Sequence, residues 1–168
     1  MAPVDLSKHE FTGADLADLV IAQDNKWIYA TGKSAILDRL RKLNLKAVML
    51  LKETQVVAAL ECNGGPCSSR IANGSGLYSR GFFGIDRYHA VSAYKWGIYT
   101  LETPANIAWS EAMRKMLRIP SIELPDYPAP KEFKNLSAAE FEPVREAIEA
   151  FNQAVATQAT AVLRGKTP

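Results

Sequence analysis

The most reactive side chains of this sequence lie in and around a glycine-rich segment in the middle of the chain. Cys62 and Cys67 enclose four residues there, and His89 follows further along. A thiolate beside a histidine could attack an acyl group, with the imidazole acting as the base. A redox pair more typically encloses two residues, and no complete catalytic signature accompanies these three. We therefore expect two unreactive thiols, and a small enzyme that uses a Cys–His pair is an alternative.

The same side chains leave two other chemistries open. A disulfide could join Cys62 to Cys67 if their α-carbons came within about 7 Å of each other. A zinc site needs at least three protein ligands, and His89 and Asp86 could add to the two cysteines, although nothing in the spacing requires this. The sequence predicts no metal and no cofactor. It favours a structural role for His89, as the hydrogen-bonded anchor of a helix start.

Three arginines in and beside this segment suggest an anionic ligand. Arg70, Arg80 and Arg87 could surround an anion such as a carboxylate, because a guanidinium group binds such anions in a fork. The glycines could also expose backbone amides to phosphate, but the sequence has neither the P-loop ending nor the dinucleotide spacing. These residues favour a mobile hairpin with exposed arginines. A site for a small anionic ligand at Arg70, Arg80, Arg87 and Tyr88 is the alternative.

Composition and charge argue against several classes of protein. The 168 residues fit one domain, and a net charge of +2, with the basic residues spread along the chain, makes a nucleic-acid partner unlikely. No window approaches the 18 or so apolar residues of a membrane helix. The first residues lack the basic start and apolar run of a signal peptide. Two cysteines are too few for a disulfide scaffold. We expect a cytoplasmic protein without a membrane partner.

The hydrophobic pattern predicts an α+β fold. Apolar residues at helical spacing predict helices, and runs of β-branched and aromatic residues predict strands. The apolar runs at 46–51 and 55–61 flank a short turn, so we expect a hairpin at the centre of the sheet, covered on both faces. Residues 85–101 fit either element, and we favour a helix. The other predicted helices cover residues 13–23, 33–43 and 104–118, and the predicted strands cover residues 26–30, 46–51, 55–61 and parts of 77–84.

These elements predict two parts of the chain. Residues 1–119 would form a core domain, with a small, mostly antiparallel sheet covered by helices. Residues 120–168 would form a proline-rich strap and a long C-terminal helix, either within the same domain or as an oligomerisation appendage. Ser137 and Glu140 have the spacing of a capping box at the start of this helix. Pro143 conflicts with a continuous helix, because it lacks an amide proton and crowds the preceding turn.

The apolar residues of the C-terminal helix repeat with nearly heptad spacing. Such a seam either packs on its own domain or pairs with a partner helix. We predict a non-enzymatic binding domain that forms a homo-oligomer through this helix. A structural assembly subunit, such as a shell, filament or coat protein, is a further alternative. The predicted interface consists of Phe141, Val144, Ile148, Phe151, Val155 and Val162.

Overall fold

Nine strands and four α-helices lie in the part of the chain that the computed structural model describes, which is residues 4–24, 26–61, 68–82, 85–102 and 111–164. Two short 3₁₀ helices, Leu6–His9 and Thr31–Lys33, accompany them. The α-helices are α1 (Gly13–Leu16), α2 (Ser34–Lys42), α3 (Glu111–Arg118) and α4 (Ala138–Leu163). The strands are β1 (Val20–Gln23), β2 (Lys26–Tyr29), β3 (Ala47–Glu53), β4 (Val56–Glu61), β5 (Ser68–Ala72), β6 (Gly76–Phe82), β7 (Ile85–Val91), β8 (Tyr94–Thr100) and β9 (Ser121–Glu123).

The strands form several small antiparallel sheets, and the single sheet expected from the sequence is wrong. β1 pairs with β2, β4 with β5, and β7 with both β6 and β9. β3 pairs with β8. Backbone hydrogen bonds from Leu101 to Lys46 and from Thr54 to Ala93 flank the two ends of this pair, so its strands run antiparallel.

The predicted hairpin over residues 46–61 is also wrong, although both of its strands exist. β3 and β4 are separated by two residues, yet each takes a different partner. The side chains that project outward from β4 show why the prediction that both faces are covered was wrong. Val57 of β4 is 62% exposed, so this strand is covered on one face only. Partner choice therefore depends on packing between distant residues, which an apolar run does not encode.

Two stretches predicted as helices contain strands. The helix expected over residues 13–23 ends at Leu16, and Val20–Gln23 forms β1. The chain turns between them at Asp18, which has φ 51°. Residues 85–101 form β7 and β8. Near its end, β7 buries Tyr88 and Ala90 on one face and His89 and Val91 on the other. It therefore lacks the apolar–polar alternation of a half-exposed strand.

The chain divides into two compact units. The first consists of Met1–Lys52 and Trp96–Ala108. Its helix α2 has the bounds that the spacing predicted within a residue, and it buries Leu37 and Leu40. The Arg39 guanidinium lies 4.4 Å from the centre of the Phe11 ring. The buried core of this unit is formed by Phe11, Leu19, Leu37, Leu40, Val48, Tyr99 and Leu101.

The second unit consists of Glu53–Lys95 and Trp109–Pro168. The residues on both sides of position 119, where the sequence predicted the end of a core domain, belong to this unit. Its three-stranded sheet, β6-β7-β9, is covered on two sides. Leu77, Tyr88 and Ala90 pack with α4 on one face. On the other face, Val91 packs in one cluster with Ala58, Leu60 and Ala72 of the β4–β5 hairpin. The sheet is therefore a middle layer between a helix and a hairpin.

Helix α4 starts with the capping box that the sequence predicted. The Ser137 hydroxyl accepts a hydrogen bond from the Glu140 amide, and the Glu140 carboxylate accepts one from the Ser137 amide at 2.8 Å. The hydrogen bonds from the Ser137 hydroxyl and amide hold the pKa of Glu140 below its usual value. The helix continues through Pro143. Pro143 is exposed, and Val144 directly after it is fully buried, so packing offsets the lost hydrogen bond.

Residues 124–137 connect β9 to α4 without a helix or strand. The Tyr127 hydroxyl donates a hydrogen bond to the Glu140 carbonyl at 2.7 Å, and its ring lies 5.3 Å from that of Tyr88. Burial raises the pKa of the Tyr127 hydroxyl. These contacts fasten the connection to the beginning of α4. Among the described residues, no helix has the length and apolar character needed to cross a membrane.

Candidate anion-binding site

Two of the three predicted arginines lie directly opposite each other in the second unit. Arg80 on β6 and Arg87 on β7 are cross-strand partners. Partners in an antiparallel pair project to the same face, with β-carbons about 4.5–5.5 Å apart. Both arginines are half-buried. The hairpin register therefore concentrates two positive charges at one place on the sheet.

The neighbouring row of side chains adds polar groups to the same face. Tyr78, His89 and Glu123 lie opposite one another on β6, β7 and β9. His89 is 4% exposed. The Glu123 carboxylate lies 3.5 Å from Nη1 of Arg87 and so balances part of the charge. Sequence reasoning missed Tyr78 and Glu123, because only the strand register brings them next to the arginine pair.

The β4–β5 hairpin brings the third arginine to a facing surface. Ala72 of β5 is buried in the cluster that joins this hairpin to Val91 of β7. Arg70 is two residues before Ala72 and pairs with the buried Ala58, so it projects from the same side of β5. Arg70 is exposed, which places it at the rim of this contact. The three arginines thus belong to two surfaces that face each other.

The opposite face of β7 holds Tyr88 and Asp86. Successive residues of a strand project to opposite faces, so Tyr88 is directed away from Arg87 and packs against α4. Asp86 also lies on that side, away from His89. The strand therefore separates Tyr88 from the arginine pair, and it separates the two residues that were considered as metal ligands beside the cysteines.

His89 does not start a helix, as the sequence suggested, but lies inside β7. Cys62 and Cys67 lie outside the described residues, so their chemistry and a bond between them stay predictions. Within the described residues, no group of three or more His, Cys, Asp or Glu side chains could hold a metal ion. The pair of arginines, in contrast, lies within the described residues.

The glycine turn between β5 and β6 is fixed by side chains. The Ser75 amide donates a hydrogen bond to the Glu53 carboxylate at 3.0 Å, and Ser75 Oγ accepts one from the Ala93 amide at 3.0 Å. The Tyr78 hydroxyl binds the Gly74 carbonyl at 2.9 Å. The Glu53 carboxylate already accepts the hydrogen bond of an amide in this turn, so the turn anchors β6. The arginines are therefore stronger candidates than the amides of this turn for binding an external anion.

One sequence signal could have located the arginine pair. β6 ends at Phe82 and β7 begins at Ile85, and these two residues are cross-strand partners. Two residues, one of them a glycine, separate the strands. A two-residue connection that contains glycine is typical of a β-hairpin and fixes its register. Treating residues 77–90 as one hairpin would have placed Arg80 opposite Arg87.

No protein-family model, curated protein or solved structure matches this chain. Its own residues must therefore indicate its function.

The predicted interface on α4 is mostly buried within the second unit. Val144 and Val155 are fully buried, and Ile148 packs against the sheet beside Val144. Phe151 and Val162 are half-buried. Phe141, at 39% exposed, keeps the most accessible side chain of the six. Packing on its own domain, one of the two alternatives for the seam, therefore accounts for most of these residues. Self-association through the helix stays a prediction, and its contacts would have to come from the exposed residues of α4.

Proposed function

We propose that this protein is a non-enzymatic interaction domain that binds an anionic group between Arg80 and Arg87. The observation that carries this proposal is their direct cross-strand pairing. Like charges opposite each other destabilise a sheet. A bound anion would attract both side chains, because it accepts hydrogen bonds from both guanidinium groups.

The surroundings of the pair favour recognition over catalysis. The arginines project from a sheet held between α4 and the β4–β5 hairpin, so their backbone positions are fixed before a ligand arrives. Arg87 already contacts Glu123. A guanidinium group has five N–H donors, so Arg87 can bind an anion while it keeps this contact. Both side chains are half-buried, so part of each stays accessible to a ligand.

The proposal is tested by calorimetric titration with citrate and, separately, with pyrophosphate, which distinguish carboxylate from phosphate recognition. Arg80→Gln and Arg87→Gln should each weaken binding about 10- to 100-fold, because a hydrogen bond to a charged group contributes about 1.5–3 kcal/mol. Arg118→Gln is the matched control, since Arg118 is an exposed arginine of the same unit outside the site. Equal weakening by all three substitutions would indicate general charge attraction and contradict a specific site.

Self-association is a second part of the proposed function. Phe141 and Leu163, near the two ends of α4, are 39% and 46% exposed. The proline-rich connection before α4, proposed as a strap, could reach a neighbouring copy from the same end as Phe141. A homo-oligomer built in this way could extend to a shell, filament or coat, which is the alternative assembly function. The enzyme that uses a Cys–His pair stays a further alternative, because Cys62 and Cys67 lie outside the described residues.

Replacing both exposed residues should reduce the particle mass without unfolding the protein. Phe141→Ser with Leu163→Ser removes two accessible apolar side chains that burial in an interface would stabilise by about 1.5–3 kcal/mol each. Light scattering measures the mass, and circular dichroism checks the fold. The control Ile119→Ser removes an exposed apolar residue of the same unit that lies on neither α4 nor the β4–β5 hairpin. An unchanged mass for the double variant would refute association through α4.

A further inference from the structure

In the part of the chain that the structure describes, no strand pairs with the outer edge of the β4–β5 hairpin. Among the described strands, β5 pairs with β4 alone. Three consecutive residues of β5 are exposed, namely Ser69, Arg70 and Ile71. An edge strand presents backbone N–H and C=O groups that can hydrogen-bond an additional strand. The edge of β5 is therefore a place where an extended segment could continue the sheet.

The two faces of this edge differ in chemistry. Ile71 and its cross-strand partner Val57 project outward, and they are 61% and 62% exposed. Arg70 projects to the inward side, which faces the sheet that carries Arg80 and Arg87. In an added strand, alternate side chains would continue these two rows. Apolar side chains would then lie beside Ile71, and acidic side chains beside Arg70.

We propose that the edge of β5 binds an extended partner segment in which acidic and apolar side chains alternate. Backbone hydrogen bonds to β5 hold the segment, and its side chains select it, as in other cases of strand addition. The inference deepens the proposed function and rests on it in one respect. The acidic side chains are the anionic groups, and the arginines bind them.

Charge favours this partner over a second copy of the same strand. β5 consists of Ser68–Ala72 and contains an arginine but no acidic residue. Pairing two copies of β5 would bring two Arg70 side chains to one edge without a carboxylate from either strand to neutralise them. An acidic segment instead supplies the opposite charge on the inward side and covers Ile71 on the outward side.

Fluorescence anisotropy with short labelled peptides tests the proposal. The probe is Ser-Val-Glu-Val-Glu-Val-Ser, and the control is Ser-Val-Val-Val-Glu-Glu-Ser, which has the same composition without the alternation. The protein should bind the alternating peptide about tenfold or more tightly than the control. N-methylation of alternate backbone amides of the probe, on the edge that faces β5, should abolish binding, because it removes the hydrogen bonds of strand addition.

Variants of the protein locate the interaction. Arg70→Gln should weaken binding of the alternating peptide about tenfold through the lost charged hydrogen bonds. Ile71→Ser should weaken it about tenfold through lost apolar burial. Ile119→Ser and Arg118→Gln, at exposed positions of the same unit away from β5, should bind like the unmodified protein.

Each failure has a distinct result. Equal binding of the alternating and control peptides would overturn the inference, and citrate binding that depends on Arg80 would still support the proposed function. Peptide binding that needs Arg70 but is unchanged by Arg80→Gln and Arg87→Gln, together with citrate binding that is also unchanged by them, would instead overturn the arginine pair as the anion site. A dimer that forms without peptide and is abolished by Ile71→Ser would assign the edge to a second copy.

Discussion

Val155→Asp is expected to unfold the second unit, whereas Ala154→Asp leaves it folded. Val155 is fully buried, and Ala154, its neighbour on α4, is exposed. An unpaired charge left in a buried site costs about 3–5 kcal/mol. A domain has about 5–15 kcal/mol of stability in total, so this change removes a large part of it. Alanine has the highest helix propensity, whereas valine and aspartate have similar, lower ones, so the loss of propensity falls on the control and cannot explain a larger effect of Val155→Asp.

Urea denaturation followed by circular dichroism measures this difference. The Val155→Asp variant should show a much lower midpoint or no folded baseline, and it should lose anion binding because α4 supports the sheet that carries Arg80 and Arg87. The Ala154→Asp variant should stay close to the unmodified protein. Similar midpoints for the two variants would contradict the packing of α4 on its own unit. They would instead favour an intermolecular interface formed by the apolar residues of α4.

The second large effect is expected in the first unit, from Leu40→Ala. Leu40 is fully buried in α2, among Leu37, Val48 and Tyr99 in the same core. Truncating a buried leucine to alanine costs about 2–5 kcal/mol, because apolar contact is lost and a cavity remains. The loss should appear as faster hydrogen exchange throughout the amides of α2.

The matched control for this change is Arg41→Ala, one residue further along α2. Arg41 is exposed and forms an ion pair with Asp38 at 3.2 Å. Exposed pairs of this kind contribute about 0.2–1 kcal/mol. Hydrogen exchange in the control should therefore stay near that of the unmodified protein. If both variants exchanged equally fast, α2 would not be held by the core described for this unit.

The elements that the sequence predicted well depend on local interactions. Helix α2 follows from apolar residues at helical spacing, and the start of α4 follows from Ser137 and Glu140. A local interaction also starts α1, where the Thr12 side chain accepts a hydrogen bond from the Asp15 amide. In each case the residues that decide the structure are three or four positions apart. Such signals are present in the sequence itself.

The pairing of strands was not predictable in the same way. β3 pairs with β8 across more than 40 residues of sequence, and β7 pairs with β9 on its other edge. Each pairing depends on which side chains are buried together, so an apolar run indicates a strand but not its partner. The candidate site follows the same division. The arginines were identified by residue type, but their convergence and the separation of Tyr88 required the register of β6 and β7.

The most direct test of the proposed anion site is nuclear magnetic resonance of the arginine side chains. Citrate is titrated into protein labelled with nitrogen-15, and the Nε–Hε signals are assigned with Arg80→Gln and Arg87→Gln. The proposed site predicts that the signals of Arg80 and Arg87 shift together along one saturation curve, while that of Arg118 stays in place. Equal shifts for Arg118, or no shift at Arg80 and Arg87, would contradict it.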